Sequence, residues 1–438
     1  MKQTPVSNLV AKLDGARPAC ALSSRLTFAS VKRLTKALPL LLLLLSCVPA
    51  TTAQTQQTGD GAERLSLKSV VLGEERVILV RTPPGYGRNT ERYPVLYMTD
   101  GDTHLVHTSG TVNFLARNGR MPEMIIVGIV NTDRTRDLTP TNAALSIPKG
   151  QPNPFPTSGG ADRFLKFIET ELIPVIESRY RTQPFRVLAG HSFGGLFAVH
   201  TMLARPELFN SYIAVSPSLQ WADELLVKRG EEFLKSHREW KKSLYMTLGN
   251  EPGDISEAFR QFREILGKNR PKDFEWDATQ FMDEEHGSVV LPSHYWALRR
   301  IFDGWQMPRD PATGTVAGGL RGADDHYRKL SQKFGYTIPV PEAVVNQLGY
   351  QLLGGGRTDE AIAVFKANVE RNPTSANVYD SLAEAYERDG KFDLARQNYE
   401  KAYALGKEAS DPNTAIFKTN LDRATERMKG SVNAGANK

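Results

Sequence analysis

The stretch RVLAGHSFGGLFAVH, residues 186–200, sets a short apolar run against a helical one, with one serine, Ser192, held between glycines at the junction. An apolar run that ends in Gly-His-Ser-Phe-Gly reads as a buried strand turning sharply into a helix. In such a turn Gly190 and Gly194 keep side chains out of a crowded space, and Gly195 lets the helix that starts at Phe193 lie close to a neighbouring strand. The pattern G-x-S-x-G then presents the serine above the strand's carboxyl end, as a nucleophile. A serine hydroxyl alone is a weak nucleophile. The reading therefore requires a base, an acid that orients the base, and donors for an oxyanion elsewhere in the chain.

Working outward, apolar runs alternate with helical patterns between Arg64 and Met307. Strands are expected over residues 65–73, 75–83, 93–101, 124–132, 185–192, 211–218, 243–251 and 274–282. Helices are expected over 161–180, 193–205, 221–237, 254–268 and 287–305. Runs such as VLYM (95–98) and MIIVGIV (124–130) are apolar throughout, which suits a sheet buried on both faces by helices. The expected fold class is α/β with a mostly parallel sheet. Ligands of such sheets collect beyond the carboxyl ends of the strands. That rule selects Asp100 to Asp102, Asn131 to Arg136, Ser192, Ser216, Ser218, Gly249 to Glu251, and the segment DEEHGS with His286.

The serine, acid, histidine order that goes with this turn sorts the eight histidines. His104 and His107 precede the serine, His191 lies inside the turn, and His200 lies two turns into the next helix. His237 sits in a charged helix end, and His294 and His326 fall in a later helix and beyond it. His286 alone follows the last strand at a strand-to-helix loop. For the acid, Glu251 ends the strand before it and is favoured; Asp254 is the alternative, although it suits the cap of a helix beginning near Ile255. The oxyanion donors are expected to be the backbone N–H of Phe193, in the first turn of its helix, and that of Asp102, in the turn that Gly101 allows after the strand ending in YMTDGD. The side chains of Asp100 and Asp102 are assigned to loop geometry. The only cysteines are Cys20 and Cys47, and no histidine cluster has ligand spacing, so neither a metal site nor a cofactor is expected.

The motifs GHSFGGLFAVH, SPSLQW, LGNEPGD and EEHGSV, with NTDRTRDLTPT upstream, resemble the esterase branch of the α/β-hydrolases (esterase D type) over roughly residues 65–306. Within it they look most like the enterochelin, bacillibactin and salmochelin siderophore esterases; S-formylglutathione hydrolases, feruloyl esterases and mycolyl transferases are more distant. The resemblance implies an α/β-hydrolase fold, a catalytic set of Ser192, His286 and Glu251, and a substrate mouth at the arginine loop. Arg134 and Arg136 would there clamp an anionic group such as a catecholate or carboxylate, or else pair with Asp133, Asp137 or other loop acids. Trp221 would wall the acyl or aryl pocket, or belong to the core.

The two ends of the chain read differently. Residues 1–53 carry seven of the 55 basic residues and one of the 49 acids, so the net charge of +6 resides there and the remainder is balanced. The isoelectric point near 9.1 thus gives no sign of nucleic-acid binding. A basic start, the apolar run Leu38–Leu45 and small residues at Ala50 and Ala53 form a secretory leader, with cleavage expected after Ala53. The alternative, lipidation at Cys47, would anchor the protein to a membrane. Residues 342–375 and 376–409 align at the 34-residue period of the tetratricopeptide repeat, pairing Leu348 with Leu382, Gly349 with Ala383, Ala361 with Ala395 and Phe365 with Tyr399. The expected organisation is a leader over 1–53, a hydrolase domain over 54–308, a linker and lead-in over 309–340, and repeats with a capping helix over 341–430. The function expected is an exported (secreted or periplasmic) serine hydrolase of carboxylic esters. An acyltransferase using the same nucleophile and a non-catalytic, repeat-mediated interaction protein are the alternatives.

Overall fold

The computed structural model describes residues 55–57, 61–145 and 150–436; the expected leader, with Cys20, Cys47 and the expected cleavage site after Ala53, lies outside them. The chain runs β1 (Thr55–Gln57), β2 (Glu63–Ser69), β3 (Glu74–Arg81), β4 (Tyr93–Met98), α1 (Gly101–Arg117), β5 (Ile125–Ile129) and α2 (Arg134–Leu138). Next, α3 (Ala161–Phe167) continues through a π-helical turn at Ile168–Leu172 into α4 (Ile173–Arg179). Then come β6 (Thr182–His191), α5 (Phe193–Ala204), β7 (Ser211–Val215), α6 (Trp221–Ser236), β8 (Ser243–Leu248), α7 (Asp254–Lys268), β9 (Glu275–Gln280) and α8 (Val290–Ile301).

One nine-stranded sheet has the order β1-β2-β3-β5-β4-β6-β7-β8-β9. Its first four strands pair antiparallel, and the rest, from β5 through β9, pair parallel. The fold is thus a mostly parallel α/β sheet. Alternation along the strands explains its two apolar layers. Tyr97, Leu188, Ala214 and Met246 face one layer with Phe164, Phe197 and Phe262; Leu96, Met98, Val187, Ala189 and Val215 face the other with Leu105, Val112, Leu115 and Leu298. The strand order reverses at β4, between β5 and β6, and the ends of these neighbouring strands open the crevice where a ligand is expected.

Helix α1 is absent from the sequence expectation, for a physical reason. Its buried face includes His104, Thr108 and Ser109, which break the apolar period of 3.6 on which the expectation rested. Thr108 and Ser109 avoid the penalty of burial by donating their hydroxyls to the carbonyls of His104 and Leu105, both at 2.7 Å.

The segment read as linker and lead-in contains a 16-residue helix, α9 (Gly319–Phe334). Its Tyr327, Leu330 and Phe334 join the layer beneath α8. The Phe334 ring lies 5.1 Å from Phe185 and 5.2 Å from Phe302. Phe185 is near the start of β6, so α9 is docked at the end of the sheet opposite Ser192. Four further helices follow: α10 (Glu342–Gly354), α11 (Thr358–Arg371), α12 (Ala376–Arg388) and α13 (Phe392–Glu408), with α14 (Thr414–Ala436) after them. Short loops make α10–α11 and α12–α13 helical hairpins. A Cβ on Gly349 would overlap the ring of Phe365, and Ala361, Ala383, Ala395, Phe365 and Tyr399 are fully enclosed.

Removing the Phe334 ring leaves a cavity between α8, α9 and β6. Phe334→Ala is expected to lower the unfolding free energy by about 3–5 kcal/mol. A urea midpoint equal to wild type would show that α9 does not belong to this core.

Candidate active site

At the end of β6 the backbone turns with Ser192 at φ 59°, ψ −115°, a conformation strained for any residue with a side chain. Close approach dictates the glycines around it. A Cβ on Gly190 would overlap the carbonyl of Gly194, and one on Gly194 would overlap the Thr99 hydroxyl; one on Gly195 would fall 2.9 Å from the Val215 carbonyl oxygen. Ser192 N–H donates to Val215 O at 2.9 Å, tying the turn to β7. Phe193 is the first residue of α5, so its N–H has no acceptor within the helix. The Ser192 hydroxyl lies 3.5 Å from that of Ser218, which sits in the loop after β7.

Two strands away, His286 Nδ1 lies 2.5 Å from Glu251 Oε2. A carboxylate only accepts, so Nδ1 carries the hydrogen and Nε2 is left with its lone pair. The other oxygen of Glu251 accepts from the Ser216 hydroxyl at 2.6 Å and from Gly249 N–H at 3.2 Å. Asp254 is the exposed first residue of α7, and the cap position belongs to Gly253, with no side-chain bond. The expected cap is corrected accordingly: Asp254 favours the helix only through its charge at the first turn.

Asp102 is the second residue of α1, again with its N–H in the first turn. Gly101 is required because a Cβ there would overlap the backbone of Gly128 on β5. Buried Asp100 accepts from Arg134 Nε at 2.6 Å and Nη2 at 3.2 Å, and from Asn131 Nδ2 at 2.6 Å. Burial alone would raise its carboxyl; the guanidinium, with Asn131 and His104, outweighs burial and holds it below the usual carboxylate value. Arg134 Nη2 also donates to the His191 carbonyl at 2.9 Å.

Of the two roles expected of Arg136, the structure shows the ion pairs. Its guanidinium is engaged by Asp137 at 2.7 Å and by Glu74 at 2.6 and 3.1 Å. These two acids also hold the fully buried Arg76, at 2.5 and 2.9 Å. A buried guanidinium has to be paired, and Arg136 completes the pairing of its partners. Arg134 is likewise bound to a protein carboxylate, although its side chain remains 33% exposed.

Trp221 is half-buried. Its ring lies 5.3 Å from Phe193 and 5.5 Å from Phe155, and Phe155 lies 5.7 Å from Phe193. Trp221 Nε1–H donates to Thr141 at 3.2 Å, and Ala222, Asp223 and Glu224 then form a left-handed turn, with φ 53–60°. Phe155, in the loop NPFP, carried no signal in the sequence that would have selected it.

Histidines that the chain order set aside also gather here. From His286 inward, ring centroids lie 4.6 Å apart to His191, then 5.6 Å to His104, 5.2 Å to His107 and 6.1 Å to His294. Burial, reinforced by the neighbouring imidazoles, lowers His191 to about 4 and His294 to about 3; burial also lowers His104 and His107. Thr108 spends its one hydrogen on a carbonyl, so at 2.9 Å it accepts from His294 Nδ1–H. Among the described residues no group of His, Cys, Asp or Glu could hold a metal ion.

A strained serine turn and a carboxylate-bound histidine at the ends of one parallel sheet are features of a hydrolase. Residues 69–261 match the family described as "Putative esterase". An IroE-like serine hydrolase of Shewanella oneidensis, of solved structure, is 31% identical, with a TM-score of 0.61 over 73% of this chain and 99% of that one. The ferri-bacillibactin esterase of Bacillus subtilis is 29% identical over 45% of this chain and 75% of its own length. The siderophore enterobactin esterase of Emericella nidulans is 26% identical over 45% of this chain and 78% of its own length. The chain belongs to this esterase family, and the two curated relatives are esterases by name.

The neutral imidazoles make stability depend on pH. Unfolded histidine takes up a proton near ~6.5, whereas folded His191 and His294 do so only near about 4 and about 3. Their contribution is complete above pH ~6.5 and is lost as pH falls toward the folded values, with a slope of ~1.4 kcal/mol per pH unit for each histidine. Urea unfolding between pH 7 and pH 4.5 is expected to show that fall, and His294→Asn to flatten it by about one proton. An unchanged slope in the variant would contradict it.

Proposed function

We propose that the protein is an exported serine hydrolase that cleaves carboxylic esters through an acyl-enzyme on Ser192. The observation that carries the proposal is the 2.5 Å Glu251–His286 couple at strand ends beside the strained Ser192 turn. Glu251 holds His286 with Nε2 free to take the hydroxyl proton as Ser192 Oγ attacks the ester carbonyl carbon. The N–H groups of Phe193 and Asp102, at two helix starts, would receive the oxyanion. Collapse breaks the ester C–O bond, and the leaving alkoxide takes the proton from His286 Nε2. Water, deprotonated by the same nitrogen, then attacks the acyl carbon; the acid leaves and Ser192 regains its hydrogen.

For the substrate, we propose a siderophore-type or other aryl ester. The aromatic side chains of Phe155, Phe193 and Trp221 beside Ser192 suit an aromatic acyl group, and the relatives named above act on siderophores by name. Arg134, partly exposed, would face its anionic oxygens. The leader supports export. The helices after α9 are proposed to be two tetratricopeptide repeats with α14 as cap, supported by the equivalent packing of Gly349 and Ala383, and of Ala361 and Ala395.

Ser192→Ala is expected to reduce hydrolysis of p-nitrophenyl butyrate by more than about 10⁴-fold and to abolish fluorophosphonate labelling, with folding retained; Glu251→Gln is expected to slow turnover by about 10²- to 10⁴-fold. Full activity in Ser192→Ala would overturn the mechanism. A panel of short acyl, feruloyl and catecholate trilactone esters, with and without added alcohol acceptors, tests the substrate and separates hydrolysis from acyl transfer.

A further inference from the structure

His191 occupies the variable position before Ser192, and nothing in the mechanism above uses it. Its Nε2 lies 2.6 Å from the backbone carbonyl oxygen of His286. A carbonyl only accepts, so Nε2 carries the hydrogen and His191 is the donor. The two imidazoles also touch, at 4.6 Å between centroids and 46° between planes.

The loop that carries His286, between β9 and α8, has few other ties near its middle. Its N-terminal part is held by Phe281 N–H on Leu248 O at 2.8 Å and by Asn250 N–H on Glu284 O at 2.6 Å. Beyond these, Ser288 bonds only within the loop, to Glu285 N–H, and a Cβ on Gly287 would meet nothing within 4 Å. Glu251 fixes the His286 ring at Nδ1, but a ring held at one nitrogen can still swing with its own backbone. The bond from His191 removes that freedom, and it comes from the residue covalently joined to the nucleophile. His191 is itself held from the other side, since Arg134 Nη2 donates to its carbonyl at 2.9 Å while gripping Asp100.

We infer that His191 is a positioning residue, tethering the backbone of the base His286 to the strand that presents the nucleophile Ser192. The neutral state that burial enforces on His191 suits a single directed donor. The inference rests on the proposed serine-hydrolase reading.

Shape allows a specific test. A glutamine amide can put its N–H where histidine Nε2 stands; asparagine reaches only the Nδ1 position, and methionine fills the space with no donor. His191→Met and His191→Asn are expected to lower kcat by about 100-fold, the scale of an ångström-sized misplacement, with KM within about twofold. His191→Gln is expected to stay within about fivefold of wild type. Fluorophosphonate labelling rates should follow kcat, and amide exchange over residues 281–289 should quicken in the Met and Asn variants alone. Wild-type kcat in His191→Met, or a folded His191→Gln as slow as the Met variant, would overturn the tether. Wild-type protein that neither labels nor turns over esters would overturn the hydrolase reading instead, and amide exchange would still decide whether the tether exists.

Discussion

Where β6 ends, Gly190 and the Gly194 carbonyl approach so closely that no side chain fits between them. This contact forces Ser192 into its positive-φ conformation and sets α5 directly behind it, with the first N–H groups of the helix beside the serine. The same contact fixes the neighbours. Gly194 presses on Thr99 at the end of β4, and Gly195 presses on β7, so the strand ends that supply the other site residues are located relative to the serine by backbone packing. Strain of this kind persists only where the surroundings over-determine it. Here a sheet buried on both faces does so.

Hydrogen bonds then connect the strand ends laterally. Asn131 and Arg134 bind Asp100 after β4; Arg134 binds the His191 carbonyl; His191 binds the His286 carbonyl; His286 binds Glu251; and Glu251 accepts from Ser216 after β7. Asp100 is held below the usual carboxylate value against its burial by the Arg134 guanidinium, with Asn131 and His104, and a buried carboxylate stripped of its partner is strongly destabilising. The 17-residue helix α1 thus starts at Gly101 beside a paired acid rather than an unpaired one. The network is continuous, and each member has a direction of donation fixed by its neighbour.

Much of this was legible in the sequence, because backbone constraints leave glycines and chain order leaves strand ends. The eight principal strands and the helices from residue 161 to 301 lie near their expected positions, and Glu251 and His286 meet as the order of serine, acid and histidine implied. What was not legible depends on contacts between distant segments. Helix α1 hides polar residues in its buried face; α9 uses Tyr327, Leu330 and Phe334 at helical spacing inside a stretch whose glycines and prolines read as a connector. For Arg136 the sequence leaves a substrate clamp and pairing with Asp137 both open, and Glu74, its second partner, is 62 residues away. The chain order sets His191 aside as lying inside the turn, and its acceptor is a carbonyl 95 residues later.

The position of α9 puts the attachment of the C-terminal helices away from the serine turn. Phe185 lies in β6 and Ser192 directly after its end, seven residues on, so at ~3.3 Å per residue the α9 contact is ~23 Å from Ser192. The docking point of α9 is thus remote from the serine turn. The walls around Ser192 come instead from the segments after β5 and β7, which contribute Phe155, Trp221 and the left-handed turn at Ala222–Glu224. Variation in those two segments can therefore change which ester fits without disturbing the sheet, while the C-terminal helices are free to vary with respect to a different surface. The serine turn is held by backbone packing at one end of the sheet, and the helical attachment by the aromatic cluster of Phe185, Phe302 and Phe334 at the other.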